Sequence, residues 1–277
     1  MKVEGLSSTT FFSKSVYLLS AQFKIQVRNR MKKHIPNTIT CCNLISGCIA
    51  TVSAINGLPE QAILFIILGA VFDFFDGMSA RLLHVSSEIG KELDSLADDI
   101  TFGIAPASIL YWYLGIIDYP SALECLRPYI PFLAFIISAF SALRLAKFNL
   151  DTRQTTSFIG LPTPANALFW GSLITAFGDS MSMTSLTFPL LIIGIFVSSW
   201  ILIAEIPMFA LKFKNWGLKG NEIKYGFIAF SVVAIIASVV MGICQERTET
   251  CFMGVTFIIV MYVVVSILTQ KKSQQAQ

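Results

Sequence analysis

Between Val71 and Ile100 the chain reads VFDFFDGMSARLLHVSSEIGKELDSLADDI, which holds Asp73, Asp76, Asp94, Asp98 and Asp99 together with Glu88 and Glu92. Strongly apolar sequence flanks this run on both sides. On a helix, Asp73, Asp76, Gly77 and Ala80 recur at spacings of three or four and share one stripe. Gly90, Asp94 and Asp98 recur every four residues and share another. The connection is short, so two such helices are antiparallel neighbours whose stripes can face each other. Two carboxylates from each helix then converge, and Gly77 and Gly90 leave room beside them. Carboxylates gathered in a low dielectric repel, and near a bilayer each costs on the order of 3 kcal/mol. Protons or divalent cations can neutralise them. Oxygen ligands without His or Cys nearby suit Mg2+, Mn2+ or Ca2+ rather than zinc. Two dications would cancel four carboxylates, and a metal pair about 4 Å apart suits displacement at phosphorus. Asp99 projects about 100° away from Asp98 on a helix. Glu88 and Glu92 read as solvated charges.

The elements that must carry these stripes are membrane spans. Hydrophobic residues make up 55% of the 277 and charged residues 13%, about half the charged share of a soluble domain, and the mean hydropathy is +0.69. A helix needs roughly 20 apolar residues to cross a bilayer. Such runs lie at about 39–56, 61–80, 94–115, 128–146, 164–178, 187–210, 225–243 and 252–269. The fold expected is an all-α, polytopic transmembrane bundle of about eight spans, preceded by a cytoplasmic amphipathic helix. In that first segment Lys24, Arg28, Arg30, Lys32, Lys33 and His34 alternate with apolar residues. They suit an anionic membrane surface rather than a signal peptide. The chain divides into this segment (1–35), a six-helix core (36–210), and two additional spans with a short cytoplasmic tail (211–277).

Of the 20 Lys and Arg, all but Arg127 and Arg247 fall in segments on the side of the N-terminus. The positive-inside rule then puts both termini and the acidic run in the cytoplasm. A net charge of +3 serves topology and anionic headgroups and implies no nucleic-acid partner. Cys41, Cys42 and Cys48 act as small apolar residues in the first span. Cys244 and Cys251 flank the last outside loop, where pairing depends on an oxidising face. His34 and His84 have no paired spacing for zinc. Glu205 falls within the apolar run 187–210, followed by Pro207, and carries no site assignment.

The run Asp73-x-x-Asp76-Gly77-x-x-Ala80-Arg81, eight residues, then Gly90-x-x-x-Asp94-x-x-x-Asp98 resembles, without gap or substitution, the signature of the CDP-alcohol phosphotransferases. The resemblance implies transfer of a phosphatidyl-type group from a CDP-activated lipid to an alcohol, with release of CMP. It implies that Asp73, Asp76, Asp94 and Asp98 hold two divalent cations, Mg2+ or Mn2+, at the diphosphate, and that Asp98 is also the general base. Gly77 and Ala80 would let the cytidine lie against the helix, Arg81 would bind a phosphate, and Gly90, Thr40 and Asn43 would complete the donor site. A single in-line displacement needs no protein nucleophile, and a carboxylate beside the acceptor hydroxyl helps remove its proton.

Three stretches further resemble the branch of that family whose acceptor is L-serine: PNTITCCN from Pro36 to Asn43, DSLADDITFGIAPA through Pro106, and ALRLAKFN (Ala142 to Asn149) followed by FIGLPTP. The resemblance covers roughly 35–170. Lys147 stands where the branch usually has Arg, keeping the charge but losing the bidentate fork. Serine is a zwitterion, so its carboxylate needs a cation, for which Arg144 and Lys147 are placed, with Asn149 adding hydrogen bonds. The partners implied are CDP-diacylglycerol, L-serine and the lipid bilayer, and homodimers are common among such proteins. A bacterial inner membrane suits this pathway. Other acceptors (glycerol phosphate, inositol phosphate, choline) stay open, as does a cation-coupled transporter, since intramembrane carboxylates also mark ion paths.

Overall fold

A computed structural model describes residues 32, 34–85, 87–151, 158–184, 186–208, 217 and 221–275, the backbone alone at 158 and 270–275. Residues 1–31 of the expected surface helix lie outside the described residues, while His34 and Ile35 already belong to the first long helix. The described residues are helical nearly throughout: α1 (His34–Ile55), α2 (Pro59–Leu83), α3 (Glu88–Asp98), α4 (Ala105–Ile116), α5 (Ile136–Leu150), α6 (Thr163–Ser182), α7 (Thr187–Ile203), α8 (Glu222–Gln245) and α9 (Met253–Gln275). A π-helical segment, Asp99–Ile104, joins α3 to α4, so Glu88 to Ile116 runs without a break. Single 3-10 turns precede α5 and α9. Two two-residue strands, β1 (Phe158–Ile159) and β2 (Pro207–Met208), pair antiparallel.

Among the described residues five stretches are long and apolar enough to cross a membrane: His34–Ile55, Pro59–Leu83, Ile130–Leu150, Glu222–Gln245 and Thr248–Thr269. The protein is an integral membrane protein on that composition. Helices suit this solvent because each closes its own backbone hydrogen bonds. Local chemistry sets their ends. Pro59 occupies the first turn of α2, where a missing N–H is harmless. His84 closes α2 in the left-handed conformation, its N–H donating to the Ala80 and Arg81 carbonyls. The Ser87 hydroxyl accepts from Gly90 N–H at 3.0 Å and caps α3.

Each apolar run of the sequence overlaps a helix, but two edges differ. The run at 164–178 belongs to a longer helix, Thr163–Ser182. The run at 187–210 does not stay helical: α7 stops at Ile203 and Ala204 is extended. Pro207 explains the early stop, since it has no N–H for the Ile203 carbonyl four residues back and its ring would clash with that carbonyl. Glu205 is therefore an exposed residue beyond the helix rather than a charge within a span. The freed backbone is used at once. Gly160 N–H donates to Ile206 O at 2.9 Å, and Leu161 N–H to Ile201 O at 3.1 Å.

These contacts fix two ends of the bundle. Thr40 with Asp76, Asn43 with Asp98, Asn149 with Ser95, and β1 with β2 gather at one end. Thr248 with Glu60, Arg247 with Asp179, and the Tyr113 hydroxyl with Gly178 O gather at the other. The core between holds Ile63, Ile66, Phe102, Ile109, Leu110, Trp170 and Ile195, all buried. Lipid is as apolar as Leu, so close backbone approach must supply much of the association. Thr101 of the π segment lies against Gly47 of α1 and Gly69 of α2, and its hydroxyl donates to Asn43 O at 3.1 Å. Val232, Val233, Ile236 and Ile243 of α8 are exposed, as a lipid-facing helix allows. All six cysteines are free thiols.

Gly160 carries φ of +77°, and a Cβ there would run into the Leu202 carbonyl oxygen of α7. Only glycine meets both demands. Gly160→Ala is expected to cost on the order of 2 kcal/mol, read as a fall of several degrees in the thermal unfolding midpoint in detergent.

Candidate active site

At the first end, the C-terminal part of α2 and the N-terminal part of α3 face each other as the sequence stripes predict. Asp73, Asp76 and Asp94 each offer a carboxylate oxygen, and these oxygens lie within 4.8 Å of one another. Asp98 stands one turn beyond Asp94, within electrostatic reach of Asp73 and Asp94, and is the fourth carboxylate of the stripe.

Helix α1 supplies the supports. Thr40, 3% exposed, donates to Asp76 Oδ2 at 2.6 Å. Asn43, fully buried, donates from Nδ2 to Asp98 Oδ1 at 3.1 Å. The family resemblance puts both at the donor nucleotide, and the geometry shows in addition that each orients a carboxylate. Such outer partners fix ligand orientation and tune basicity.

A cavity of about 260 Å³ opens beside the carboxylates, lined by Asn37, Thr40, Asp76, Gly77, Ala80, Gly90 and Asp94 among others. Gly77 has open space where a Cβ would point, so its bare face borders the cavity. Gly90 is different: a Cβ there would press on Ser87 Oγ and Asn37 Oδ1, so its small size also serves the cap of α3. Arg81 is exposed at the end of α2 and is not among the residues lining the cavity.

The donor set fits a divalent cation. All ligands are carboxylate oxygens, three lie within reach of one point, and Asp94 Oδ1 is buried without a hydrogen-bond partner. A buried acceptor left unsatisfied costs free energy, which a bound cation would relieve. Asp99 does not join them. It opens the π segment, and its buried Oδ1 has no partner and lies toward Gly103 and Ser141.

The residues expected at the serine carboxylate part company. Arg144 is 6% exposed, its guanidinium 5.8 Å from the Phe148 ring and within electrostatic reach of Asp98. Lys147 is exposed and lines a small cavity with Arg144. Asn149 is committed elsewhere: its Nδ2 donates to Ser95 Oγ at 2.7 Å, and its carbonyl accepts from Lys91 Nζ at 3.0 Å. It ties the end of α5 to α3.

A sequence model of CDP-alcohol phosphatidyltransferases matches residues 33–211, the stretch that holds every one of these side chains. The chain belongs to the CDP-alcohol phosphatidyltransferase family. A CDP-diacylglycerol–serine O-phosphatidyltransferase of Bacillus subtilis is 41% identical over 132 residues, 47% of this chain and 70% of that protein. The proteins of the same name from Mycobacterium leprae and Saccharomyces cerevisiae are 30% and 37% identical, over 75% and 47% of this chain and 67% and 50% of their own lengths. The family match ends at 211, so α8 and α9 lie beyond it.

Proposed function

We propose that this phosphatidyltransferase moves the phosphatidyl group of CDP-diacylglycerol to the hydroxyl of L-serine, giving phosphatidylserine and CMP. The observation that carries the reading is the set of converging carboxylates, Asp73, Asp76 and Asp94 with Asp98 beside them, in a family member whose relatives are named for that reaction. The carboxylates sit at one end of the bundle beside an open cavity, which weighs against a transporter path through the midplane.

Asp73, Asp76, Asp94 and Asp98 are the residues that would hold two divalent cations, Mg2+ or Mn2+. When bound, such cations neutralise charge on the diphosphate and on the departing CMP. Gly77 and Ala80 give the cytidine a bare helix face, with Gly90 and Thr40 across the same cavity, and Arg81 reaches toward phosphate from the rim. Asp98, steadied by Asn43, takes the proton of the serine hydroxyl as its oxygen bonds to phosphorus. The bond from phosphorus to the CMP oxygen breaks in the same displacement. Arg144 and Lys147 hold the serine carboxylate, while Asn149 secures the helix that carries them. Both termini and the site face the cytoplasm of a bacterial inner membrane in this reading, because all but Arg127 and Arg247 of the 20 Lys and Arg fall in segments on that side.

The test is CMP release by the purified protein in detergent with CDP-diacylglycerol and Mn2+ or Mg2+, with and without L-serine. Serine-dependent and metal-dependent release is expected. Release with glycerol phosphate or inositol phosphate but not serine would replace the acceptor. No release from folded protein with any acceptor would sink the reaction class.

A further inference from the structure

A cavity of about 630 Å³ opens at the end of the bundle opposite the carboxylate site, within the size range of small-molecule pockets. It lies away from the reacting groups: Glu60 on its wall and Asp76 both belong to α2, roughly 24 Å apart along the axis at about 1.5 Å per residue. Helices α2, α4 and α6 form most of it, and Glu249 completes it from the turn before α9, beyond the family match. That turn is tied to the core. Thr248 Oγ1 donates to Glu60 Oε2 at 3.0 Å, Arg247 Nη2 donates to Asp179 Oδ2 at 2.9 Å, and the hydroxyls of Ser172 on α6 and Thr256 on α9 share a hydrogen bond of 2.8 Å.

The chemistry of the cavity is one-sided. Its charged lining residues are Glu60, Asp179 and Glu249, with no Lys or Arg among them. Arg247, paired with Asp179 and 3.6 Å from Glu249, offsets one of the three charges. Two polar atoms are left over. Glu249 Oε2 is buried without a hydrogen-bond partner. Thr175 lines the cavity, is only 6% exposed, and its Oγ1 has no partner either. Ser53 and Ser108 donate to the helix carbonyl four residues back, but Thr175 does not. A buried polar group without a partner costs free energy, and a ligand that donates hydrogen bonds would satisfy both. Among the described residues only Asp73, Asp76 and Asp94 bring three carboxylate oxygens within 4.8 Å of one another. Glu60, Asp179 and Glu249 are spread too widely for one metal ion and suit a larger, organic cation. Trp112 and Tyr113 add aromatic surface, which attracts such cations. Leu58, Leu64 and Ile116 also line the cavity and are each more than half exposed, so it opens toward lipid as well as water.

We propose that this cavity binds the ammonium headgroup of a membrane lipid, with Thr175 and Glu249 accepting its hydrogen bonds and Trp112 standing against its charge. Leu58, Leu64 and Ile116 receive the start of an acyl chain. Arg247 at the rim has further N–H groups for the headgroup phosphate. The α8–α9 hairpin thus builds a lipid site rather than only anchoring the chain. The inference does not depend on which alcohol the enzyme accepts.

The experiment is native mass spectrometry of lipid binding to the full-length protein in detergent, for wild type, Thr175→Val and Glu249→Gln. The probes are phosphatidylethanolamine, phosphatidylglycerol with the same acyl chains but no ammonium, and free ethanolamine without a tail. Wild type is expected to bind phosphatidylethanolamine roughly tenfold more tightly than either of the others, the scale of a hydrogen bond to a charged group. Each variant is expected to lose most of that preference, with CMP release unchanged. Val matches Thr in shape and removes the unpartnered hydroxyl, so its thermal midpoint without lipid should not fall. Equal binding of the two lipids by wild type, or a preference that survives in both variants, overturns the proposal. Ethanolamine bound as tightly as the lipid overturns it too, and makes the cavity a site for a soluble amine.

Discussion

Asp98→Asn is expected to lower kcat for serine-dependent CMP release by about a thousandfold, within the range a positioned general base contributes, while the protein remains folded. The change is close to isosteric. The introduced amide keeps a carbonyl oxygen that can accept the hydrogen bond Asn43 now gives to Asp98 Oδ1 at 3.1 Å, so α1 and α3 stay docked. What is lost is the ability to take a proton and one negative charge beside Asp73 and Asp94. Losing the base alone lowers kcat with little change in the serine KM if the proposed contact of the serine carboxylate with Arg144 and Lys147 is kept. Kinetics at saturating CDP-diacylglycerol separate these effects. A variant that keeps a tenth or more of the wild-type kcat would mean another group accepts the proton.

The membrane fold is legible because bilayer thickness imposes a length and lipid imposes a composition on each span. The carboxylate site is legible because residues three and four apart must share a helix face. Two stripes on adjacent antiparallel helices leave little freedom in how they meet. Spacing does not reveal what lies across from a stripe. Thr40 and Asn43 are visible in the sequence as residues of one face, yet their partners Asp76 and Asp98 are 36 and 55 positions away. Asn149 looks free to meet a substrate until Ser95, 54 positions away, is found beside it. Thr101 carries no motif, and its place between Gly47 and Gly69 depends on a π segment that local propensity does not announce. The early end of α7 has a signal in Pro207, outweighed by the apolar residues around it. Thr175 has none, since a hydroxyl in an apolar span reads as helix packing until the cavity beside it is known.

Mn2+ or Mg2+ is expected to raise the thermal midpoint of the purified protein by several degrees, and Asp94→Asn is expected to abolish both that rise and CMP release. With oxygens of Asp73, Asp76 and Asp94 within 4.8 Å of one another, each charged pair repels by on the order of 3 kcal/mol at an effective dielectric near 20. Folding that brings them together works against this repulsion unless protons or cations are taken up. A cation that binds only the folded arrangement stabilises it by about 2.7 kcal/mol at a hundred times its Kd. An amide at position 94 removes one ligand and, at once, its repulsion with Asp73, Asp76 and Asp98. The variant should therefore melt at or above the wild-type midpoint in chelator, and below it in saturating Mn2+. That crossing distinguishes a metal centre from a solvated acidic patch. Carboxylates that merely repel would give a variant of higher midpoint under both conditions, and carboxylates that merely pack would give one of lower midpoint under both. Calorimetric titration of Mn2+ into the two proteins supplies an independent reading, with binding heat expected only for the wild type.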